Sequence, residues 1–212
     1  MTILILAAHP DDIAVGLGGT VAKYARQGKH IVAVIFSYGE GADPIKDSTS
    51  VIKQHVAEAK KAAKMLGIKE IMFLGLSDLT FEKDSEEPST EKKLTDIFEK
   101  YEPELIFIHK NDDMHPAHKI VAEITEHVAN KIKIKMPFYA YYVFPPIGPG
   151  HRNQPKLYVD ISDVFALKKT VMNIFKTQKM FFSFYQIPAT LFNNWLAGFK
   201  ARCKYAEVFY KL

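Results

Sequence analysis

Four short apolar runs set the frame of this chain: residues 2–8, 31–36, 71–74 and 105–108. Each is short for a helix and bounded by turn residues, the pattern of a strand buried on both faces. The segments between them carry apolar residues at three- and four-residue spacing. Leu17, Val21, Tyr24 and Ala25 mark a helix over 16–28, with Gly28 suited to its C-terminal cap. Further helices are expected over 51–66, stopping at Gly67, and over 90–101, capped by Ser89 or Thr90. Another should run from Pro116 to about Lys131, since proline favours the first helical position. Repeated strand–helix alternation implies right-handed crossovers and a parallel sheet. The expected fold is therefore α/β: a Rossmann-like, doubly wound, mostly parallel sheet flanked by helices, in a single domain over 1–212. Beyond residue 135 the pattern is looser. Strands are expected at 136–144 and 157–161, and helices at 162–178 and 188–204.

Composition narrows the function classes. Apolar residues are 48% and charged residues 25% of the 212, enough to bury a full core. The net charge of +4 is spread along the chain. No dense basic block suited to a nucleic-acid backbone occurs, so no nucleic-acid partner is expected. One cysteine, Cys203, excludes an internal disulfide and a thiolate-rich zinc site, and fits a reducing, cytoplasmic setting. No run reaches the ~20 apolar residues of a membrane helix. The aromatic stretch Met180–Tyr185 is either core or a contact surface of a homo-oligomer.

Chemistry concentrates at two strand ends. His9-Pro10-Asp11-Asp12 follows the first strand, and His109 to His118 follows the fourth. In wound α/β sheets, ligands sit beyond the carboxyl ends of the strands. Taken alone, Asp11 and Asp12 equally suit a helix start, and His115-Pro116-Ala117-His118 suits two solvated histidines. Taken together they pool imidazole nitrogen and carboxylate oxygen without thiolate. That set suits catalytic zinc, which takes three protein ligands and keeps one position for water. His9, Asp12 and His118 are the expected ligands; Fe2+ or Mn2+ would also accept them. Gly16, Gly18 and Gly19 do not complete G-x-G-x-x-G, because position 21 is valine. They better serve close packing of a helix on the sheet.

These motifs carry a resemblance. Ala8–Asp12, Gly16–Thr20 and His115–His118, with Glu58–Gly67, Phe73–Leu76, Val159–Ser162, Lys176–Gln178 and Tyr205–Glu207, are similar to the PIG-L/LmbE-like family of zinc N-deacetylases. The resemblance spans nearly the whole chain. It implies removal of an acetyl group from an N-acetylglucosamine-type substrate, a small amino sugar. It also implies that His9, Asp12 and His118 bind Zn2+, that Asp11 is the general base, and that His115, protonated, stabilises the oxyanion or acts as acid. Two departures stand out. His55 occupies the place where relatives carry a substrate-holding arginine, and Ala117 replaces an aspartate. His55, with His151 and Arg152 in the Pro/Gly loop, is a candidate substrate contact. Two rival readings follow from the residues themselves: a non-catalytic sugar- or nucleotide-binding module, and a metal-dependent amidase or esterase acting on another bond.

Overall fold

A computed structural model describes residues 1–42, 47–145, 154–175 and 185–212. The first apolar run forms β1 (Thr2–Ala7), buried on both faces. Ile3, Ile5 and Ala7 point into one core, and Leu4, Leu6 and Ala8 into the other. Alternation along a strand makes this division, since successive side chains leave opposite faces. Burying each such Ile or Leu contributes roughly 1.5–3 kcal/mol. β1 lies between β2 (His30–Ser37) and β4 (Leu105–His109), parallel to both, with Ile3 opposite Ile31 on one side and Leu105 on the other.

Seven strands follow the order β3-β2-β1-β4-β5-β7-β6, with β3 (Glu70–Leu76), β5 (Phe138–Tyr141), β6 (Lys156–Asp160) and β7 (Ala206–Lys211). The chain winds outward from β1 through β2 to β3, then returns to β4 on the other side of β1. The carboxyl ends of β1 and β4 thus diverge at a switch point, which opens a crevice there. β7 runs antiparallel between β5 and β6. The sequence reading left this C-terminal segment unassigned. The expected mostly parallel α/β sheet is thus present, with an antiparallel strand near one edge.

Helices cover both faces. One side holds α1 (Asp12–Gly16), α2 (Gly18–Arg26), α3 (Ser48–Leu66) and α7 (Phe165–Met172). The other holds α4 (Phe81–Ser85), α5 (Pro88–Tyr101) and α6 (Pro116–Lys131). α8 (Ile187–Ala201) packs on β7. Local signals account for several boundaries. Asp47 caps α3 by accepting from the Ser50 N–H at 2.9 Å, and Gly67 ends it at φ +82°. Pro116 opens α6 as anticipated.

Three expectations are corrected. The helix expected over 16–28 is α2, which starts at Gly18, and a separate short helix not anticipated, α1, precedes it, the two parted at Leu17 (φ −146°, ψ 18°). α5 starts at Pro88, and Thr90 is inside it, with its hydroxyl donating to the Asp84 carbonyl at 2.7 Å. The strand expected over 136–144 is confined to Phe138–Tyr141, because its following residues turn to meet the site.

Candidate active site

The loop after β1 and the start of α6 face each other across the crevice, and they bring His9, Asp11, Asp12, His115 and His118 together. His9 is fixed through its backbone: its N–H donates to Asp12 Oδ2 at 2.7 Å. Asp12 begins α1, where a carboxylate also meets the exposed amides of the helix start. Its two oxygens then face imidazoles: Oδ1 is 3.2 Å from His118 Nε2, and Oδ2 is 3.2 Å from His109 Nε2 and 3.7 Å from His9 Nδ1. Pro116 sets the helix start, so His115 stands at its N-cap in an extended conformation and His118 follows on the first turn. Their ring centroids are 4.7 Å apart, and that of His9 is 5.0 Å from His115 and 5.8 Å from His118.

His118 is the centre of the arrangement. It is fully buried, and its Nδ1 pairs with Asp113 Oδ1 at 2.9 Å. Asp113 is itself held by the backbone N–H groups of His115, Val143 and Phe144, at 3.0, 2.9 and 2.9 Å. This fixes the ring so that Nε2 faces the Asp12 carboxylate, 3.2 Å from Oδ1. A carboxylate behind a histidine is the usual way to set the tautomer of a metal ligand. His9 has a looser counterpart, with Nε2 3.8 Å from Asp78 Oδ1. Asp78 is anchored by the Ser37 hydroxyl and by the Gly41 N–H at 2.9 Å.

Burial and charge shape the protonation of these groups. Burial, with the negative charge of Asp12, lifts the Asp11 carboxyl to about 6. Burial opposes charge on Asp12 as well, but His118 and His109 hold it well below the usual carboxylate range. His118 also resists burial: Asp12 and Asp113 push it up to about 10. Burial and the neighbouring His118 take both His109 and His115 down to about 4.

The geometry groups possible metal ligands in two ways. Ligand atoms of His9, His115 and His118 lie within 4.8 Å of one another, as do those of Asp12, His109 and His118. The expected trio, His9, Asp12 and His118, straddles the two groups, and His118 is common to both. His109 enters as a candidate that the sequence placed only near the site. Its Nε2, however, already accepts the Ala8 N–H at 3.0 Å. Its Nδ1 is buried without a hydrogen-bond partner. The donor set fits a divalent cation: imidazole nitrogen and carboxylate oxygen.

His55 is in neither group of possible metal ligands. It is 3% exposed and its Nδ1 donates to the Tyr38 carbonyl at 2.7 Å. It lies behind Gly39, where a Cβ would come within 3.2 Å of His55 Nδ1 and 3.6 Å of Pro10 Cδ. His151 and Arg152 lie outside the described residues. Sequence reasoning gave no role to Asp113 or Asp78. Asp113 had a signal, being a carboxylate two residues before the His115 motif; Asp78 sits in a loop with no pattern to reveal it.

Residues 4–129 match the family model described as PIG-L, GlcNAc-PI de-N-acetylase. The chain is 28% identical over 170 residues to a probable N-acetyl-alpha-D-glucosaminyl L-malate deacetylase 2 of Bacillus anthracis, covering 74% of this chain and 75% of that one. It is 24% identical over 201 residues to 4-oxalmesaconate hydratase of Pseudomonas putida, covering 86% and 76%. Its fold matches that of N,N'-diacetylchitobiose deacetylase from Pyrococcus horikoshii with a TM-score of 0.82 at 21% identity, over 100% of this chain and 83% of the other.

Proposed function

This chain belongs to the PIG-L (GlcNAc-PI de-N-acetylase) family, a deacetylase family, and on that footing we propose that it is a zinc-dependent hydrolase removing the acetyl group from an N-acetylglucosamine-type substrate. The observation that carries the reading is His118 Nε2. It is fully buried, lies 3.2 Å from the Asp12 carboxylate, and belongs to both groups of possible metal ligands.

His9, Asp12 and His118 would hold the metal, with Asp113 keeping His118 in the tautomer that presents Nε2. When bound, the cation polarises the amide carbonyl and lowers the pKa of water towards ~7. Asp11 then acts as base. Raised to about 6, its carboxyl is still mostly ionised at neutral pH, yet basic enough to take a proton from the attacking water. The water oxygen bonds to the acetyl carbon, and the carbonyl π electrons move onto oxygen. His115 faces this oxyanion. With a pKa near 4 in the metal-free site, it rests as a neutral imidazole and donates through an N–H. Collapse breaks the carbon–nitrogen bond. The amine leaves with the proton that Asp11 or His115 holds, and acetate is the second product.

The hydratase relative favours one alternative of the same character, metal-assisted attack of water on another bond. Asp11 and His115 could serve that proton traffic equally well. A binding module is disfavoured by the deacetylase family to which the chain belongs. We place the reaction in one domain over 1–212 and in the cytoplasm. In support, Cys203 is a free thiol, and no helix among the described residues is long and apolar enough to cross a membrane.

The test couples elemental analysis to a free-amine assay with GlcNAc, GlcNAc-malate, GlcNAc-inositol and N,N'-diacetylchitobiose. About one zinc per chain with amine release from any of them is expected. Bound metal without amine release would shift the reading to another bond, and failure to bind metal after reconstitution would overturn it.

A further inference from the structure

The break between α1 and α2 is closed by two residues far away in sequence. Lys168 on α7 is fully buried, and its Nζ donates to the Val15 carbonyl at 2.8 Å and to Glu207 Oε1 at 2.6 Å. Glu207 on β7 is 1% exposed. It accepts from the Gly19 N–H on Oε1 at 2.9 Å and from the Thr20 N–H on Oε2 at 2.7 Å. The ammonium therefore sits on a carbonyl at the end of α1, and the carboxylate on the first amides of α2. These are the groups a helix break leaves without partners, and each charge has the sign its helix end favours.

The break falls within Gly16-Leu17-Gly18-Gly19, where three glycines disfavour a continuous helix but do not fix where one helix ends and the next begins. The packing that accompanies the break is tight. A Cβ on Gly16 would approach the Tyr141 ring to 2.4 Å, and one on Gly19 would approach Ile161 to 2.8 Å. A buried ion pair is also a poor device for stability alone, because apolar residues of the same volume usually do as well. Its presence calls for something that it specifies.

We propose that Lys168 and Glu207 are positioning residues for the catalytic carboxylates: by fixing where α1 ends, they fix where Asp11 and Asp12 stand at its start. α1 has five residues, so less than one turn separates Asp12 from Val15. A helix that short cannot absorb a displacement of its last carbonyl along its length. The proposal rests on the reading of the crevice given above, but it acts through geometry and is measurable without substrate.

Two variants test it. Glu207→Gln keeps the shape but replaces one acceptor oxygen by an NH2, so either Gly19 or Thr20 loses its acceptor. Lys168→Met/Glu207→Gln removes both charges together and leaves no lone buried charge to prevent folding. Zinc affinity is read by chelator competition, amide exchange over residues 12–20 by mass spectrometry, and thermal unfolding by circular dichroism. Both variants are expected to bind zinc at least tenfold more weakly, by analogy with other groups that hold metal ligands in place. Exchange over 12–20 should accelerate, and at saturating zinc kcat should fall at least tenfold with KM within twofold. Lower melting temperature with zinc affinity and exchange within twofold of wild type would overturn the proposal and leave the pair a stabilising element only. If Glu207→Gln, which leaves the Lys168 ammonium buried without its counter-charge, does not fold, the double variant decides, and the reverse. Absence of amine release from the wild type would sink the deacetylase reading, while zinc affinity and exchange would still judge the positioning role.

Discussion

At the start of α1, Asp12 faces the imidazoles of His9, His109 and His118, and Nδ1 of His115 in the same cluster is buried with no hydrogen-bond partner. Less than one turn away, at the end of the same helix, Lys168 and Glu207 are as deeply buried, yet their bonds close on each other and on the helix ends. Both clusters carry the desolvation cost of buried charge. Only one is complete within the protein. The difference separates a site from its support: a cluster with unpartnered donors is built to receive a group, and a closed cluster is built to hold a shape.

The sharpest way to break this comparison is His118→Ala, which removes the nitrogen common to both candidate ligand groups. Bound zinc should fall to background by elemental analysis and turnover should vanish with it. Retention of a full equivalent would mean that the open cluster is not a metal site. Asp11→Asn should separate chemistry from binding within the open cluster. Turnover is expected to fall ~10²–10⁴-fold, the usual contribution of a general base, while zinc content stays at wild type; near-normal turnover would remove Asp11 from the mechanism.

Asp113→Ala probes how far the support extends on the β4–α6 side. Losing the acceptor that fixes His118 Nδ1 should weaken zinc by about 10–100-fold in the chelator assay. Loss of the three backbone bonds to Asp113 should also lower the melting temperature. Asp78→Ala, beside the more loosely held His9, should cost less; equal losses would show that both histidines are held alike.

A gentler effect concerns pH. In the metal-free protein His118 is raised to about 10, so at pH 7 zinc has to displace its proton. Affinity should therefore rise with pH between roughly 6.5 and 8.5, and calorimetry in buffers of different ionisation enthalpy should detect about one proton released per zinc. A pH-independent affinity would mean that His118 is not titrated by binding. The same shift bears on stability without metal. Because the folded pKa is raised, the His118 contribution is complete below the ordinary histidine value near 6.5 and is lost as pH rises towards 10.

Much of this could be read from residues in order. The four apolar runs became β1, β2, β3 and β4; β1, β2 and β4 are buried on both faces, a pattern with few other readings, whereas β3 is a half-buried edge strand. Gly67 ended α3 and Pro116 began α6, since both effects are local. β7 was missed because Ala206–Lys211 mixes charged and apolar residues at a sheet interior that only its two neighbours supply. Lys168 did leave a trace. It interrupts a row in which Val164, Phe165, Val171 and Met172 are buried at helical spacing, and a cation in such a row needs a buried partner.

The sequence by itself determined the parallel sheet, the placing of His9–Asp12 and His115–His118 at strand ends, and the donor chemistry that points to a divalent cation. Each follows from periodicity or from residue type, which a linear string records. Only the tertiary structure decided that His118 is the nitrogen shared by both ligand groups, that Asp113 and Asp78 stand behind the histidines, and that a separate short helix, α1, joins the first motif to α2. Those facts depend on distances between residues some 30 to 190 positions apart, such as Val143 with Asp113 and Gly19 with Glu207. No local pattern encodes such distances, because the packing of the whole sheet sets them.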